Sequence, residues 1–174
     1  MDSAALRELQ APLKERYRDD PAAAVVTLTA RGDLADGAIA CKVETGRALV
    51  EAGLHPATGG SGLEACSGDM LLEALVACAG VTLKAVATAI DFQLRGGTVS
   101  AEGDLDFRGT LGVDRGAPVG FRDIRLHFTH DTEEPEDKRA NLLRLTERYC
   151  VVLQTLRTSP AVIARLDSVS PAAS

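Results

Sequence analysis

Residues 69–90 read DMLLEALVACAGVTLKAVATAI, twenty-two positions of which only Asp69, Glu73 and Lys84 are charged. A run this long and this rich in alanine and leucine is far beyond strand length and reads as one helix. Apolar residues fall on nearly every face of it, the mark of a helix enclosed by other structure. Its length approaches that of a membrane span. Glu73 and Lys84 argue against that reading, since a charge near a span centre costs roughly 2.5 to 3.5 kcal/mol on insertion scales. The run is expected to be the buried core helix of a water-soluble domain.

Working outward, the preceding stretch predicts strands. Residues 24–30 are rich in β-branched residues, and Ile39, Cys41 and Val43 alternate with Ala40, Lys42 and Glu44. Two strands joined by a turn over 31–37 follow, with a third over 48–51 and Cys41 facing inward as a small hydrophobe. The glycine-rich stretch 55–68 lacks phosphate-loop spacing and reads as a loop, with Ser67 placed to cap the helix and Asp69 in its first turn.

Beyond the helix, strands are expected around Val99 and Ala101, around Leu105 and Phe107, and around Ile124, Leu126 and Phe128. The last two alternate with polar residues and are half-exposed. Leu142, Leu145 and Tyr149 share one face of a helix over 132–149 that Pro135 opens, and residues 161–167 are expected to close the domain as a strand. Strands, helix, strands, helix is an α+β order.

The whole chain, 1–174, is expected to be one domain, with residues 1–20 an N-terminal extension in which Leu6, Leu9, Leu13 and Tyr17 make an amphipathic helix. Of the 174 residues 45% are apolar and 25% charged, a usual globular mix, so the class must come from other features. Aromatics are 3% and the net charge is -6, which leaves neither stacking platforms nor a positive surface for nucleic acid. No basic segment leads into an apolar one at the start, and a cytoplasmic protein is expected.

Four cysteines remain: Cys41, Cys66, Cys78 and Cys150. They form no C-x-x-C pair, and His55, His127 and His130 are dispersed, so no metal is expected. Cys78 lies midway along the long helix and Cys150 within 147–156, ERYCVVLQTL. A buried thiol is inert unless a neighbouring cation or donor stabilises its thiolate.

Residues 66–88 resemble the central-helix signature of the OsmC/Ohr family of thiol peroxidases, and 147–156 is similar to that family's second-cysteine segment. The resemblance spans residues 24–167. It implies an α+β fold of antiparallel sheets around a long buried central helix, in an intertwined homodimer with its active sites at the subunit interface. Cys78 becomes the peroxidatic thiol and Cys150 its resolving partner, acting on organic hydroperoxides. No cofactor is implied beyond an external dithiol reductant such as a lipoyl group.

The family's arginine from the first strand turn corresponds to Arg31, although Arg47 also precedes the helix. Asp69 stands where a glutamate is usual, one methylene shorter. Nine helical residues place Asp69 and Cys78 on opposite faces about 13.5 Å apart, so Asp69 acts across a dimer or through Arg31, or is only a first-turn charge. Thr82 shares the Cys78 face. Cys66 is either a second resolving thiol or a buried one. A non-enzymatic protein holding a small lipophilic ligand in an apolar dimer crevice, or one that only reports oxidants through a disulfide, would carry the same pattern.

Overall fold

In a computed structural model of the protein, the described residues are 2, 4, 5, 8, 11, 31–34, 40–44, 49–112 and 114–167, with 31–34, 40–44 and 49 described by backbone alone. The strand expected over 24–30, the inward face of Cys41, and Leu6, Leu9, Leu13 and Tyr17 of the leading helix lie outside them. Ala4, Ala5, Glu8 and Ala11 are helical.

The first sheet runs β1 (Arg31–Leu34), β2 (Ala40–Glu44), β3 (Leu49–Gly53), β4 (Ala65–Cys66) in that order. The first three are antiparallel, whereas β4 joins β3 in parallel. The turn expected from Arg31 onward is corrected: Arg31 begins a strand. Its register sets Arg31 opposite Glu44 and Asp33 opposite Lys42, and the antiparallel backbone ladder with β2 holds the stretch extended despite its turn-like composition.

Helix α1 (Ser67–Ala89) follows β4 directly. The expected Ser67 cap is also corrected, because the pairing of β4 with β3 keeps the chain extended through Cys66, which takes the N-cap position without a side-chain bond. The far end closes with two bonds characteristic of a left-handed stop: Phe92 N–H donates to Ala87 O at 2.8 Å and Asp91 N–H to Thr88 O at 3.4 Å. Phe92 is buried beside Val86 and Ala87. Asp91 carries the positive φ this stop requires, 56°. Glycine adopts that conformation without a Cβ penalty, so Asp91→Gly is expected to stabilise the fold by about 0.5–1 kcal/mol, read as a rise in Tm of a few degrees.

A second sheet pairs β5 (Gly96–Asp104) antiparallel with β6 (Asp123–Asp131). The strand expected around Leu105 and Phe107 is instead a turn of helix, α2 (Phe107–Thr110). Asp106 caps it, accepting from Arg108 N–H at 3.1 Å, and the Arg108 guanidinium grips the same carboxylate. Gly109 permits the close return of the loop, since a Cβ there would meet Pro118 O at 2.5 Å.

Helix α3 (Glu136–Tyr149) opens after Pro135 with two acidic residues in its first turn, and α4 (Val151–Arg157) follows after a break at Cys150. Residues 161–167 form no strand within the chain.

Helix α1 packs one face, Leu75, Ala79, Leu83, Val86 and Ala87, against β5, α3 and α4. Its length and hydropathy would suffice for a membrane span, but this packed face makes it the core helix of an α+β fold. The opposite face stays exposed: Ala74, Ala77 and Ala85 lie on it uncovered, and Val81 is 71% exposed.

Candidate active site

The break between α3 and α4 brings the two cysteines of interest together. Cys150 has extended backbone, φ -73° and ψ 107°, so α3 ends there and α4 starts on the next residue. Its own N–H still closes α3 on Thr146 O at 3.0 Å and its carbonyl accepts from Gln154 N–H at 2.9 Å. The first amides of α4, Val151 and Val152, have no partner within their helix. Cys150 is fully buried with Leu75 and Ala79, and Cys78 packs against this cluster along with Val99, Ala101, Ile124 and Leu126. Both cysteines are free thiols.

Burial works against a thiolate at Cys78, but it is outweighed. The Val152 amide, the Cys150 thiol, the Val151 amide and the Thr82 hydroxyl, in that order, hold the Cys78 pKa below that of an ordinary thiol. These four groups are neutral donors. Cys150 moves the other way: burial pushes its thiol up, the Leu153 amide opposes, and the neighbouring Cys78 adds to the rise. One sulfur is thus poised as the anion and its neighbour as the proton-bearing thiol. Iodoacetamide is accordingly expected to modify Cys78 well before Cys150, with a rate that rises with pH and reaches half its maximum below the usual thiol range.

The other residues expected at the site are not gathered with this pair. Asp69 is exposed in the first turn of α1 and borders a separate cavity of about 150 Å³ with His55, Cys66 and Phe107. Cys66 sits twelve residues before Cys78, about 18 Å along the helix axis, and so does not reach the pair within one chain. Arg31 lies in β1 opposite Glu44, and its side chain is outside the described residues. Among the described residues, no group of three histidine, cysteine or acidic side chains is placed to hold a metal.

Sequence reading missed the two valine amides, which belong to no residue type. The signal available was positional: a cysteine directly ahead of an apolar helical run, ERYCVVLQTL, leaves first-turn amides beside its own sulfur.

A cavity of about 710 Å³ opens on the other side of Leu75, between β6, α3 and α4, floored by Leu75, Leu83, Leu126, Phe128, Leu153 and Leu156. Leu153 and Leu156 also pack against the Cys150 cluster, so the cavity and the thiol pair share a wall.

The sequence model of the OsmC-like protein family matches residues 60–165. The fold is similar to that of an OsmC-like protein from Mycoplasma pneumoniae, with 16% identity, TM-score 0.63, and 77% of this chain and 89% of that one covered. It is similar also to an organic hydroperoxide resistance protein from Elizabethkingia anophelis, with 17% identity, TM-score 0.62, and coverage of 78% and 91%. An organic hydroperoxide resistance protein OsmC from Legionella pneumophila gives 17% identity, TM-score 0.60, and coverage of 78% and 92%. No curated protein sequence matches the chain.

Proposed function

We propose that this chain, which belongs to the OsmC-like protein family, is a thiol peroxidase that reduces organic hydroperoxides through Cys78 and Cys150. The observation that carries the reading is the meeting of Cys78 and Cys150 in one cluster at the start of α4, where the surrounding donors favour a thiolate at Cys78 and burial disfavours one at Cys150. That is the division of labour a two-cysteine peroxidase needs.

In the first step the Cys78 thiolate attacks the outer oxygen of ROOH. The O–O bond breaks, Cys78 becomes a sulfenic acid, and RO⁻ takes a proton to leave as the alcohol. In the second, the Cys150 sulfur attacks the sulfenic sulfur; the S–O bond breaks, a disulfide forms, and the oxygen leaves as water with the Cys150 proton. A dithiol then reduces the disulfide to two thiols and is itself oxidised to a cyclic disulfide, the role a lipoyl group suits. The aliphatic walls formed by Val99, Ala101, Ile124 and Leu126 favour an organic peroxide over hydrogen peroxide. The family's activating arginine would come from Arg31. The neutral donors around Cys78 supply part of the stabilisation without it.

Purified protein supplied with an organic hydroperoxide and a reduced lipoyl compound is expected to turn over, with little activity on a monothiol. Absence of peroxide consumption, with Cys78 still reduced, would rule the reading out. Thr82→Val removes one thiolate donor and is expected to slow the first oxidation of Cys78 by roughly 3- to 10-fold at pH 7, the worth of about one hydrogen bond. Its rate profile should shift to higher pH while the plateau rate stays near the wild-type value. A change in the plateau alone would mean that Thr82 acts only in packing.

The exposed Val81, with Ala74, Ala77 and Ala85 around it on α1, supports a homodimer joined through that helix face.

A further inference from the structure

In an unbroken helix the Val151 N–H would donate to Glu147 O, four residues back. At Cys150 the backbone is extended, with ψ 107° against about -42° in a helix, so the next amide is turned by roughly 150° and leaves that carbonyl. It donates to the Cys78 sulfur, as does the Val152 amide beside it. Glu147 O thereby loses its helical donor in the last turn of α3.

Gln154 supplies the replacement. Its side-chain Nε2 donates to Glu147 O at 2.7 Å, and its own backbone N–H donates to Cys150 O at 2.9 Å. One residue of α4 therefore grips both sides of the break, the first turn of α4 through its backbone and the last turn of α3 through its side chain. Arg157 adds a second tie, its guanidinium lying 2.9 Å from the Glu147 carboxylate, but both side chains are well exposed and water and salt screen the pair. Packing alone holds α4 loosely. The helix has seven residues and none is buried; Val152, Leu153 and Leu156 are half-covered.

We propose that Gln154 is a positioning residue of the thiol site: by taking the place of the Val151 N–H on Glu147 O, its side chain fixes the angle at which α4 leaves α3 and keeps the Val151 and Val152 amides turned to Cys78. It acts through those amides and not on the sulfur itself. The angle matters because a hydrogen bond weakens steeply as its donor turns away from the acceptor. From β5 and β6 the cluster around Cys78 receives the apolar Val99, Ala101, Ile124 and Leu126, and Cys150 is its titratable neighbour among the described residues. The inference rests on the thiol peroxidase reading and deepens it, assigning the support of the amides that favour the attacking thiolate.

The test reads Cys78 directly, without peroxide. Gln154→Met keeps the side-chain length and removes the donor, at an exposed position where the fold should tolerate it. Alkylation of Cys78 by iodoacetamide is followed by peptide mass across the thiol pH range. Relative to wild type, the curve for Gln154→Met is expected to move to higher pH, with the rate at pH 7 about 3-fold lower and the high-pH plateau unchanged. In amide NMR spectra of the wild type, the Val151 and Val152 N–H protons are expected to shift as Cys78 ionises, and to shift less in Gln154→Met. A variant whose melting temperature falls while its alkylation curve stays in place would overturn the proposal, leaving Gln154 a cap for a free carbonyl. A lower plateau with no movement along the pH axis, or wild-type amide shifts that ignore Cys78, would overturn it too. A curve that moves as expected in a protein that consumes no hydroperoxide would remove the peroxidase reading and leave the role of Gln154 standing, whereas full turnover with an unmoved curve removes Gln154 alone.

Discussion

Cys78→Ser is expected to lower organic hydroperoxide turnover at least about a thousandfold while leaving the fold intact. The oxygen is close to the sulfur in size, and Cys78 lies in a partly buried helical position where Thr82, a hydroxyl residue, already sits one turn away. The chemistry is what fails. The donors that favour a thiolate at Cys78 cannot bring an alkyl alcohol near ionisation at neutral pH, and a neutral hydroxyl does not attack a peroxide oxygen. Stopped-flow consumption of peroxide with excess dithiol gives the rate, and circular dichroism verifies the fold. Cys150→Ser should behave differently, completing one oxidation and then stalling with a single oxygen added to Cys78 in intact mass. Full turnover by Cys78→Ser would place the reaction elsewhere.

The parts of this fold legible in the sequence are those governed by local pattern. Helix α1 follows from its length and its alanine and leucine content, strand β6 and helix α3 from their periodicity, and β6 alternates between exposed and half-buried from end to end. What was not legible depends on partners remote in the chain. Ser67 has the right chemistry for a cap, but the pairing of β4 with β3 decides where the helix starts. Leu105 and Phe107 alternate like a strand, but Asp106 finds the Arg108 amide and guanidinium and turns the chain into α2. Residues 161–167 alternate correctly and still form no strand among the described residues.

The site divides in the same way. Cys78 and Cys150 announce themselves by residue type, and their proximity follows once α4 packs on α1. The amides of Val151 and Val152 become thiolate donors only through the break at Cys150, which no side chain encodes. Asp69 is the opposite case, a carboxylate suggested by resemblance that within one chain borders a different cavity.

The second large effect concerns two positions six residues apart on α1. Leu75 is fully buried between the helix and the Cys150 cluster, whereas Val81 is 71% exposed. Leu75→Asp forfeits about 1.5–3 kcal/mol of apolar burial and adds several more for an unpaired buried charge. Domains of this size are stable by only about 5–15 kcal/mol, so the variant is expected to unfold or aggregate. Val81→Asp meets no such penalty within one chain, because the side chain there already faces solvent. In the proposed homodimer its cost would fall on assembly, where a charge set against its own copy across a shared helix face loses both apolar contact and solvation. Val81→Asp is therefore expected to retain helical circular dichroism and a cooperative melt while sedimenting at half the wild-type mass. Equal unfolding of both variants would mean that the exposed face of α1 is needed for folding as well as for docking, as when folding and dimerisation are one step. A folded, undissociated Val81→Asp dimer would move the interface away from this helix altogether.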